Sequence, residues 1–492
     1  MATLSRRQLL QAGLLGAVSV VLGACGLGRS ETPRPSGPAP VGGSPPAGGT
    51  PISSGAPAAT PAPGAANAPS AAFLEVLGRP TDRSITANVL PAKAGDIVVE
   101  YGTAPGAYTA RTAARNAAAG IPAEILIDGL APNTRYWWRV RDGATTGPEH
   151  AFVTQRTAGS TFLFEVQGDS HPERVGKMFD ADLYARTLRG AALDAPDFYL
   201  AIGDDFSVDQ LKAVNLATVR DLYVTQRHWL GAVGAPLFLV NGNHEQAALV
   251  NLDGTPNNVA VWAQTARNTN YPQPAPDGFY SGDEEAVPSI GPLRDYFAFT
   301  WGDALFAVID FYWHSDAVVD NPFAAGRPQK PQRDAWDITL GEAQYRWLRR
   351  TLESSRAKHK FVFAHHVLGT GRGGIELANG FEWGDAKNLA ARRPGWDKTI
   401  HRVFVDTGVT IFFQGHDHIY VRQELDGVVY QSLPVPGDST YSWFNEDAYR
   451  TGDKLPGSGR LRVRVAPDGV TVEYVRSWLD RPDEVAATYT VR

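Results

Sequence analysis

Two different spacings of apolar residues divide the chain from residue 71 onward. In the first region, residues 71–156, short stretches alternate apolar and polar positions between breaks rich in Gly, Pro and Asn. This alternation predicts strands at 73–77, 84–89, 97–101, 124–127, 136–141 and 150–154. Several short strands at this spacing are typical of a small β-sandwich.

The second region, residues 161–492, has the pattern of an α/β domain. Its continuous apolar runs lie at 162–166, 198–202, 237–240, 360–364 and 410–413. Each run is short and suits a strand that is buried on both faces. Helical periodicity is clearest at 341–355, where Thr339 and Glu342 predict a capping box. A hairpin over 461–475 is predicted near the end of the chain.

The segment between residues 251 and 337 is rich in aromatic side chains. They are Trp262, Tyr271, Tyr280, Tyr296, Trp301, Tyr312, Trp313 and Trp336. We favour the interpretation that they pack beneath long loops. The alternative is that they stack on a nucleobase or an aryl ester.

Residues 1–25 combine a charged start, a short apolar run and a final cysteine. Arg6 and Arg7 precede the apolar run, which is shorter than the ~20 residues of a spanning helix and ends at Leu22-Gly23-Ala24-Cys25. The pattern resembles a twin-arginine export signal that ends in the lipobox of a bacterial lipoprotein. The resemblance implies a lipid on Cys25 and predicts an anchor on the outer side of the cytoplasmic membrane or a periplasmic or cell-surface position. The alternative is an uncleaved signal anchor with an incidental cysteine. Residues 26–70, rich in Pro, Gly and Ala, predict a disordered tether.

Composition limits the other classes of function. The 492 residues carry a net charge of −6 without a long basic run, which disfavours a nucleic-acid-binding surface. Cys25 is the only cysteine, so a disulfide within the chain is excluded. The sequence identifies no protein partner.

Each of the five apolar runs ends in polar residues of the kinds that bind metals. The clusters are Asp169-Ser170-His171, Gly203-Asp204-Asp205, Gly242-Asn243-His244-Glu245, His365-His366 and Gly415-His416-Asp417-His418. Ligands of open α/β sheets bind at the carboxyl ends of the strands, so we expect these clusters to converge on one edge. Taken singly, Asp204 has the ordinary interpretation of a helix N-cap and Asn243 that of a turn residue. Five clusters in this order leave little room for coincidence.

The order of these motifs resembles that of the calcineurin-like metallophosphoesterases, over residues 161–492. With the preceding β region, the chain resembles the purple-acid-phosphatase type of architecture. Residues 130–140 resemble the E–F corner of fibronectin type III domains, with Tyr136 as the corner tyrosine. The resemblance implies an α/β two-sheet sandwich flanked by helices, preceded by a fibronectin III-like β-sandwich at 71–156.

The resemblance also implies the ligands of two metal ions. The first ion would be bound by Asp169, His171, Asp204 and His418, and the second by Asp204, Asn243, His365 and His416. Imidazole and carboxylate ligands together suit Fe, Mn or Zn. In this family a hydroxide that bridges the two metals attacks phosphorus. Purple acid phosphatases have a tyrosine ligand where this chain has Ser207, so an Fe(III) centre is not expected.

Three further residues receive roles through the resemblance or through their position. His244 would act beside the metals, either donating a proton to the leaving oxygen or stabilising negative charge. His366 is expected near the substrate or behind a ligand, and Arg372 is a candidate for holding a phosphate oxygen. Glu245 is expected to be structural, and Asp417 receives no role.

Taken together, these patterns predict a dinuclear enzyme that hydrolyses a small phosphate ester outside the cytoplasmic membrane, and they favour a phosphatase. A phosphodiesterase or nucleotidase would use the same ligands, so it stays an alternative. A non-catalytic surface lipoprotein is a further alternative. It would predict lost ligands, and none of the predicted positions is lost.

Overall fold

The structure, a computed structural model, describes residues 71–246, 254–315, 334–369 and 371–492. The predicted signal, Cys25 and the tether lie outside these residues. In the part of the chain that is described, none of the helices combines the length and apolar character needed to span a bilayer.

Nine strands form the first region. They are β1 (Phe73–Gly78), β2 (Ile85–Pro91), β3 (Gly95–Gly102), β4 (Ala110–Arg111), β5 (Arg115–Ala117), β6 (Ala123–Ile127), β7 (Arg135–Asp142), β8 (Thr145–Thr146) and β9 (His150–Val153). Strands β1, β2 and β6 form one sheet, and β3 and β7 are the centre of a second sheet with β4, β5, β8 and β9 around them. Alternate residues of both sheets, such as Val89 and Val140, fill a shared core. The hydroxyl of Tyr136 accepts a hydrogen bond of 2.9 Å from the Ala131 N–H. This is the contact expected of a corner tyrosine, while the relation to fibronectin type III domains stays a prediction.

The second region contains sixteen described strands. They are β10 (Phe162–Gln167), β11 (Phe198–Ala201), β12 (Leu237–Leu239), β13 (Ser281–Gly282), β14 (Ala286–Val287), β15 (Gly291–Pro292), β16 (Phe297–Trp301), β17 (Ala304–Val308), β18 (His359–Phe363), β19 (Ile411–Gln414), β20 (Tyr420–Leu425), β21 (Val428–Ser432), β22 (Asp453–Leu455), β23 (Gly459–Ala466), β24 (Gly469–Arg476) and β25 (Glu484–Val491). The five predicted apolar runs are all strands, with ends that shift by at most one residue.

These strands form two main sheets that face each other. The first sheet has the order β12-β11-β10-β23-β24-β25, and the second has the order β13-β16-β17-β18-β19-β21-β20-β22. Strands β10, β11 and β12 run parallel, as do β17, β18, β19 and β21. Phenylalanines from both sheets meet between them, including Phe164, Phe198, Phe306 and Phe413. The expected two-sheet sandwich is therefore confirmed.

Eight helices are described, and the longer ones cover the outer faces of the sandwich. They are α1 (Ala181–Asp194), α2 (Leu216–Leu230), α3 (Asn243–Gln246), α4 (Val259–Asn270), α5 (Gly341–Ser354), α6 (Phe381–Gly384), α7 (Ala386–Arg392) and α8 (Ile400–Thr407). Helices α1, α2 and α4 pack on the first sheet. Helices α5 and α8 pack on the second sheet.

For helix α5, the sequence predicted both an apolar face and a capping box. Its predicted apolar face is confirmed, because Tyr345, Leu348 and Leu352 are buried. The predicted capping box is wrong, because the N-cap is Leu340 and no side chain caps the helix. The Thr339 hydroxyl instead accepts a hydrogen bond of 2.9 Å from the Gly341 N–H. In a capping box, the side chain of the N-cap residue accepts a hydrogen bond from the backbone N–H three residues later. Thr339 precedes the N-cap residue Leu340 by one position, so it cannot form this contact.

Two other predictions are confirmed. The hairpin consists of β23 and β24, with Ala466 opposite Gly469, and β23 pairs antiparallel with β10. The aromatic residues of the long segment are buried, apart from Trp262, which is half-buried. They therefore pack in the interior, and several of them belong to the cores around the two sheets.

A buried arginine joins the two regions of the chain. Arg227 lies on α2 and is completely buried. Its Nη2 donates to the carbonyl oxygens of Leu74 at 2.7 Å and Asn88 at 2.8 Å. Its Nη1 donates to Asn88 Oδ1 at 2.6 Å and also to the Asn270 carbonyl. The guanidinium thus binds β1 and β2 to the helical layer of the second region.

Candidate metal centre

Loops at the same end of both sheets bring the predicted ligands together. Asp169, Asp204 and Asn243 follow β10, β11 and β12 of the first sheet. His365 follows β18 and His416 follows β19, both in the second sheet. The clusters were expected at one edge, and the structure places them where the edges of two sheets meet. Parallel strands explain this convergence, because their carboxyl ends lie on the same side.

The first group of side chains consists of Asp169, His171 and His418. One ligand atom of each lies within 4.8 Å of the others, and all three residues are buried. His418 Nε2 lies 2.9 Å from Asp169 Oδ2 and 3.2 Å from His171 Nε2. Asp204 Oδ2 lies 3.7 Å from His171 Nε2. The four atoms predicted for the first ion therefore face one small volume.

The second group forms around His365 Nε2. This atom lies 3.0 Å from Asn243 Oδ1, 3.2 Å from Asp204 Oδ2 and 3.3 Å from His416 Nδ1. Asp204 is therefore adjacent to both groups, as a bridging carboxylate would be. Asp169 Oδ2 lies 4.0 Å from His365 Nε2, so it is farther from the second group than Asp204 is.

The backbone at these loops adopts an unusual conformation. The φ angle is +43° at His171, +58° at Asp204, +65° at His416 and +64° at His418. A residue with a side chain pays on the order of 1–3 kcal/mol for such a conformation, and the surrounding structure must enforce it. Four strained residues in one site indicate that side-chain placement takes precedence over backbone preference here.

Glu245 holds the loop that carries Asp204. Its carboxylate accepts hydrogen bonds from the backbone N–H groups of Asp204 at 3.0 Å, Asp205 at 2.7 Å and Phe206 at 2.8 Å. It also accepts one from Gly242 at 2.8 Å. A Cβ atom at Gly242 would lie 2.2 Å from Asp204 Oδ1. Glycine is therefore required where the second and third loops touch, and Glu245 has the structural role expected for it.

The donor atoms fit metal ions by their charge and by their close approach to one another. Asp169 Oδ2 is buried and lies 2.9 Å from His418 Nε2, so the two atoms can share a proton or a metal ion. Burial lowers the pKa of His418 to about 4 and that of His416 well below its usual range, which leaves both rings neutral with a free lone pair. Burial also lowers the pKa of His365, but Asp204 and Asp169 raise it further, to about 10. The carboxylates of Asp169 and Asp204 therefore favour a positive charge between them, which a metal ion would supply. A neutral imidazole is the form of histidine that binds a metal ion.

His244 lies beside both groups and is held on either side. Its Nδ1 lies 2.7 Å from Asp209 Oδ1, and its Nε2 lies 2.9 Å from Arg174 Nη2 and 3.8 Å from Asp204 Oδ2. Burial lowers the pKa of His244, but Asp204 and Asp209 raise it further, to about 9. A guanidinium only donates hydrogen bonds, so Nε2 accepts from Arg174 in this arrangement, and the ring can donate a proton from Nε2 only when Arg174 moves off it.

Asp209 and Arg174 are site residues that the sequence analysis missed. Asp209 lies in a short 3₁₀ turn, Val208–Gln210, that folds back onto His244. Arg174 lies three residues after His171, in a loop without regular structure. The sequence offered only a weak signal for them. Both are charged, Arg174 follows the motif that contains His171, and Asp209 follows the motif that contains Asp204.

His366 and Arg372 contact His416 from two directions. The His366 ring is buried and stacks on the His416 ring at 4.0 Å, and its Nδ1 lies 3.1 Å from the Tyr312 hydroxyl. His366 therefore lies behind a predicted ligand and away from solvent. Arg372 Nη1 donates to the His416 carbonyl and lies 3.3 Å from Asp417 Oδ1. Its side chain is 39% exposed, which places it at the mouth of the site.

Asp417 has a role that the sequence did not suggest. Its Oδ2 accepts a hydrogen bond of 2.8 Å from the Gly373 N–H and another from the Tyr449 hydroxyl. Its carbonyl accepts one of 3.0 Å from Asn445 Nδ2. Asp417 therefore ties two rim loops to the loop after β19, which carries His416 and His418.

Comparison with known proteins decides the family. The family model described as calcineurin-like phosphoesterase matches residues 166–420, which is more than half of the chain. The chain belongs to this family. As a calcineurin-like phosphoesterase it is a metallophosphoesterase, and the resemblance expected from its motifs is confirmed. The family and the grouped ligand-type side chains imply bound metal. A comparison with curated proteins finds no match.

Two solved structures share the fold of this calcineurin-like phosphoesterase. PhoD has a TM-score of 0.61 and 15% identity, over 85% of this chain and 89% of that one. The purple acid phosphatase PPD1 from yellow lupin (Lupinus luteus) seeds has a TM-score of 0.55 and 17% identity, over 85% of this chain and 73% of that one. At these identities the likeness concerns the fold.

Proposed function

We propose that the protein hydrolyses phosphate monoesters with two metal ions, and that it acts outside the cytoplasmic membrane. One observation supports this above the others. Asp204 Oδ2 lies 3.7 Å from His171 Nε2 in the first group and 3.2 Å from His365 Nε2 in the second. A shared carboxylate is what a pair of adjacent metal ions requires.

In this proposal the ligands are those predicted from the motifs. Asp169, His171 and His418 hold one ion with Asp204, and Asn243, His365 and His416 hold the other with Asp204. Fe, Mn and Zn suit these nitrogen and oxygen donors. When bound, such a pair would activate a water molecule and neutralise the charge of the phosphoryl group.

His244 supplies the proton in this proposal. Its Nδ1 is bound to the Asp209 carboxylate, so the proton that leaves is carried by Nε2, which takes it up once Arg174 Nη2, 2.9 Å away, turns from the ring to the phosphate group. Asp209 fixes the ring orientation and stabilises its positive charge. The leaving oxygen of an ester would receive that proton as its bond to phosphorus breaks.

Two arginines favour a monoester over a diester. Arg174 and Arg372 flank the ligand groups, and their side chains are 27% and 39% exposed. A terminal phosphate group carries more charge and more free oxygens than a diester. Guanidinium groups at the mouth of the site suit that extra charge.

A diester remains the second candidate because of one rim loop. Trp443 is 49% exposed, and the neighbouring Phe444 ring lies 5.8 Å from the His418 ring. An aromatic surface beside a predicted ligand offers a place for the second alcohol of a diester or for a nucleobase.

The experiment is a paired assay on the purified protein. The protein is stripped with a chelator, reloaded with Mn, Zn or Fe, and given an aryl phosphate monoester or the matching diester. We expect a higher kcat/KM for the monoester, and a larger loss for the monoester than for the diester in Arg174→Ala. A higher kcat/KM for the diester would reject the monoester assignment, and a matching loss in Trp443→Ala would then support the second candidate.

The proposed location rests on the sequence of residues 1–25. Export by the twin-arginine route with a lipid on Cys25 would hold the enzyme at the outer face of the cytoplasmic membrane. Cell fractionation tests this: we expect the wild-type protein in the membrane fraction and Cys25→Ala in the soluble exported fraction. Equal distribution of the two proteins would reject the lipid anchor.

A further inference from the structure

The loop after β10 carries an acidic residue that folds back onto the metal centre. Glu173 lies two residues after His171 in this loop. The chain turns here, because the Arg174 N–H donates a hydrogen bond of 2.9 Å to the His171 carbonyl. The His171 ring is completely buried, whereas the Glu173 side chain is 22% exposed. The turn therefore places a carboxylate on a buried ring that is a predicted metal ligand.

The two ring nitrogens of His171 have different partners. Nε2 faces the ligand group, at 3.2 Å from His418 Nε2 and 3.7 Å from Asp204 Oδ2. Nδ1 lies 2.9 Å from Glu173 Oε1. A neutral imidazole carries its proton on one nitrogen only. A proton on Nδ1 that is donated to Glu173 therefore leaves the lone pair of Nε2 for a metal ion.

His365, a predicted ligand of the second ion, is held in another way. Its Nδ1 donates a hydrogen bond of 2.7 Å to the backbone carbonyl of Ile202. That carbonyl is uncharged and belongs to the main chain. A carboxylate partner fixes the ring of a ligating histidine and also raises its basicity. Of these two ligands, His171 is thus the one whose orientation depends on a charged side chain.

The same carboxylate oxygen contacts an arginine of the site. Glu173 Oε1 lies 3.3 Å from Arg174 Nε. The Nη2 atom of that guanidinium lies 2.9 Å from His244 Nε2. Glu173 therefore contacts His171 directly and reaches His244 through Arg174. The contact at Nε would keep the guanidinium at the site while Nη2 turns from the His244 ring to the phosphate group.

We propose that Glu173 is a positioning residue that orients His171 toward the first metal ion and holds Arg174 beside the substrate. The inference rests on the proposed dinuclear function, because it assigns Glu173 a role through two residues of that site. In this role Glu173 touches neither the ions nor the substrate. Its removal should therefore weaken binding and leave the set of ligands unchanged.

Metal titration without substrate tests the contact with His171. Full-length protein is stripped with a chelator, and Mn²⁺ or Zn²⁺ is titrated against a competing indicator to obtain a dissociation constant for each ion. We expect Glu173→Gln to bind one ion ~10–100-fold more weakly and the other as the wild type does. Glu284→Gln makes the same change at an exposed position and should keep both constants. Wild-type constants for both ions in Glu173→Gln would overturn the proposal.

A double variant shows whether the effect passes through His171. In His171→Ala, adding Glu173→Gln should weaken metal binding no further, because the ring that Glu173 orients is gone. A further loss as large as that in the wild-type background would mean that Glu173 acts on the metal by another route, and it would overturn the proposal. If Glu173→Gln does not fold, Glu173→Asp replaces it, because the shorter side chain keeps the charge and withdraws the oxygen from the ring.

The titration also separates this inference from the proposed function. A wild type that binds a single ion would reject the dinuclear proposal. Weaker binding of that ion in Glu173→Gln would still support the role of Glu173, and unchanged binding would overturn it. A wild type that binds no ion would reject both.

The contact with Arg174 is tested with substrate at saturating metal. The ratio of kcat/KM for the aryl monoester to that for the matching diester should fall in Glu173→Gln, in the same direction as in Arg174→Ala, because the guanidinium loses its charged partner. The ratio should stay at the wild-type value in Glu284→Gln. An unchanged ratio in Glu173→Gln would overturn the placement of Arg174 by Glu173.

Discussion

The metal centre and the Arg227 junction both bury polar side chains completely, but they differ in how those side chains are satisfied. At the junction, a cationic guanidinium meets oxygen atoms of Leu74, Asn88 and Asn270 from both regions of the chain. At the metal centre, nitrogen atoms of His171 and His418 face each other at 3.2 Å. The junction pairs one donor group with several acceptors, whereas the centre brings together several side chains that can each bind a metal ion.

This difference separates a structural polar cluster from a functional one. At the junction, both Nη atoms of Arg227 donate to oxygen atoms of the chain, so these hydrogen bonds contribute to folding. The centre holds four residues at positive φ, so it stores strain that the surrounding structure must enforce. The strained backbone and the gathered ligand-type side chains distinguish the centre from the junction.

Removing the shared carboxylate is expected to have the largest effect. Asp204→Asn should bring turnover to the level of the uncatalysed reaction and lower metal content, because the side chain contacts both ligand groups. Steady-state assays and metal analysis check this. The matched control is Asp205→Asn, which changes the next residue and should keep the bound metal. Full metal content in Asp204→Asn would contradict the bridging role.

Removing the proposed proton donor is expected to have the next largest effect. His244→Ala should lower kcat by ~10²–10⁴-fold with the metal retained, because its ring lies beside the ligands and is not one of them. The loss should shrink with an ester whose leaving group needs no proton. Equal activity of wild type and variant on a poor leaving group would exclude the acid role.

The residue that orients His244 should matter less. Asp209→Asn should lower kcat by ~10–100-fold, because the amide no longer stabilises the charged ring held at 2.7 Å. In the His244→Ala background the same change should have little further effect, since the partner is gone. Asp221→Asn, an exposed residue on α2, serves as the control. Additive losses in the double variant would show that Asp209 acts independently.

Replacing Arg227 at the junction should lower the stability of the protein and leave its catalytic rate almost unchanged. Arg227→Met should lower the free energy of unfolding by about 3 kcal/mol, because it leaves several buried carbonyl oxygens without donors. The value of kcat should stay within about twofold, since Arg227 contacts none of the predicted ligands through its described hydrogen bonds. Urea unfolding and steady-state assays of Arg227→Met and of the exposed Arg220→Met give the comparison. A large loss of kcat in folded Arg227→Met would mean that the two regions are coupled.

Local pattern was sufficient for the five apolar strands of the second region and for the apolar face of helix α5. Short apolar runs predict strands such as β10 and β19, because a strand buried on both faces must be apolar throughout. Motif order then led to Asp169, Asn243 and His365 as candidates. The capping box at Thr339 failed, because a shift of one residue at the start of α5 is invisible in the pattern.

What the sequence by itself determined is the family, the two-sheet architecture and the set of residues with metal-binding chemistry, because those properties depend on side-chain type and order along the chain. Only the tertiary structure showed that two sheets share the site and that Asp209 and Arg174 hold His244. These contacts join residues from separate loops, for example His244 and Arg174, which are 70 positions apart. Sequence patterns act over a few residues, whereas loop packing at the ends of the strands decides which distant side chains meet.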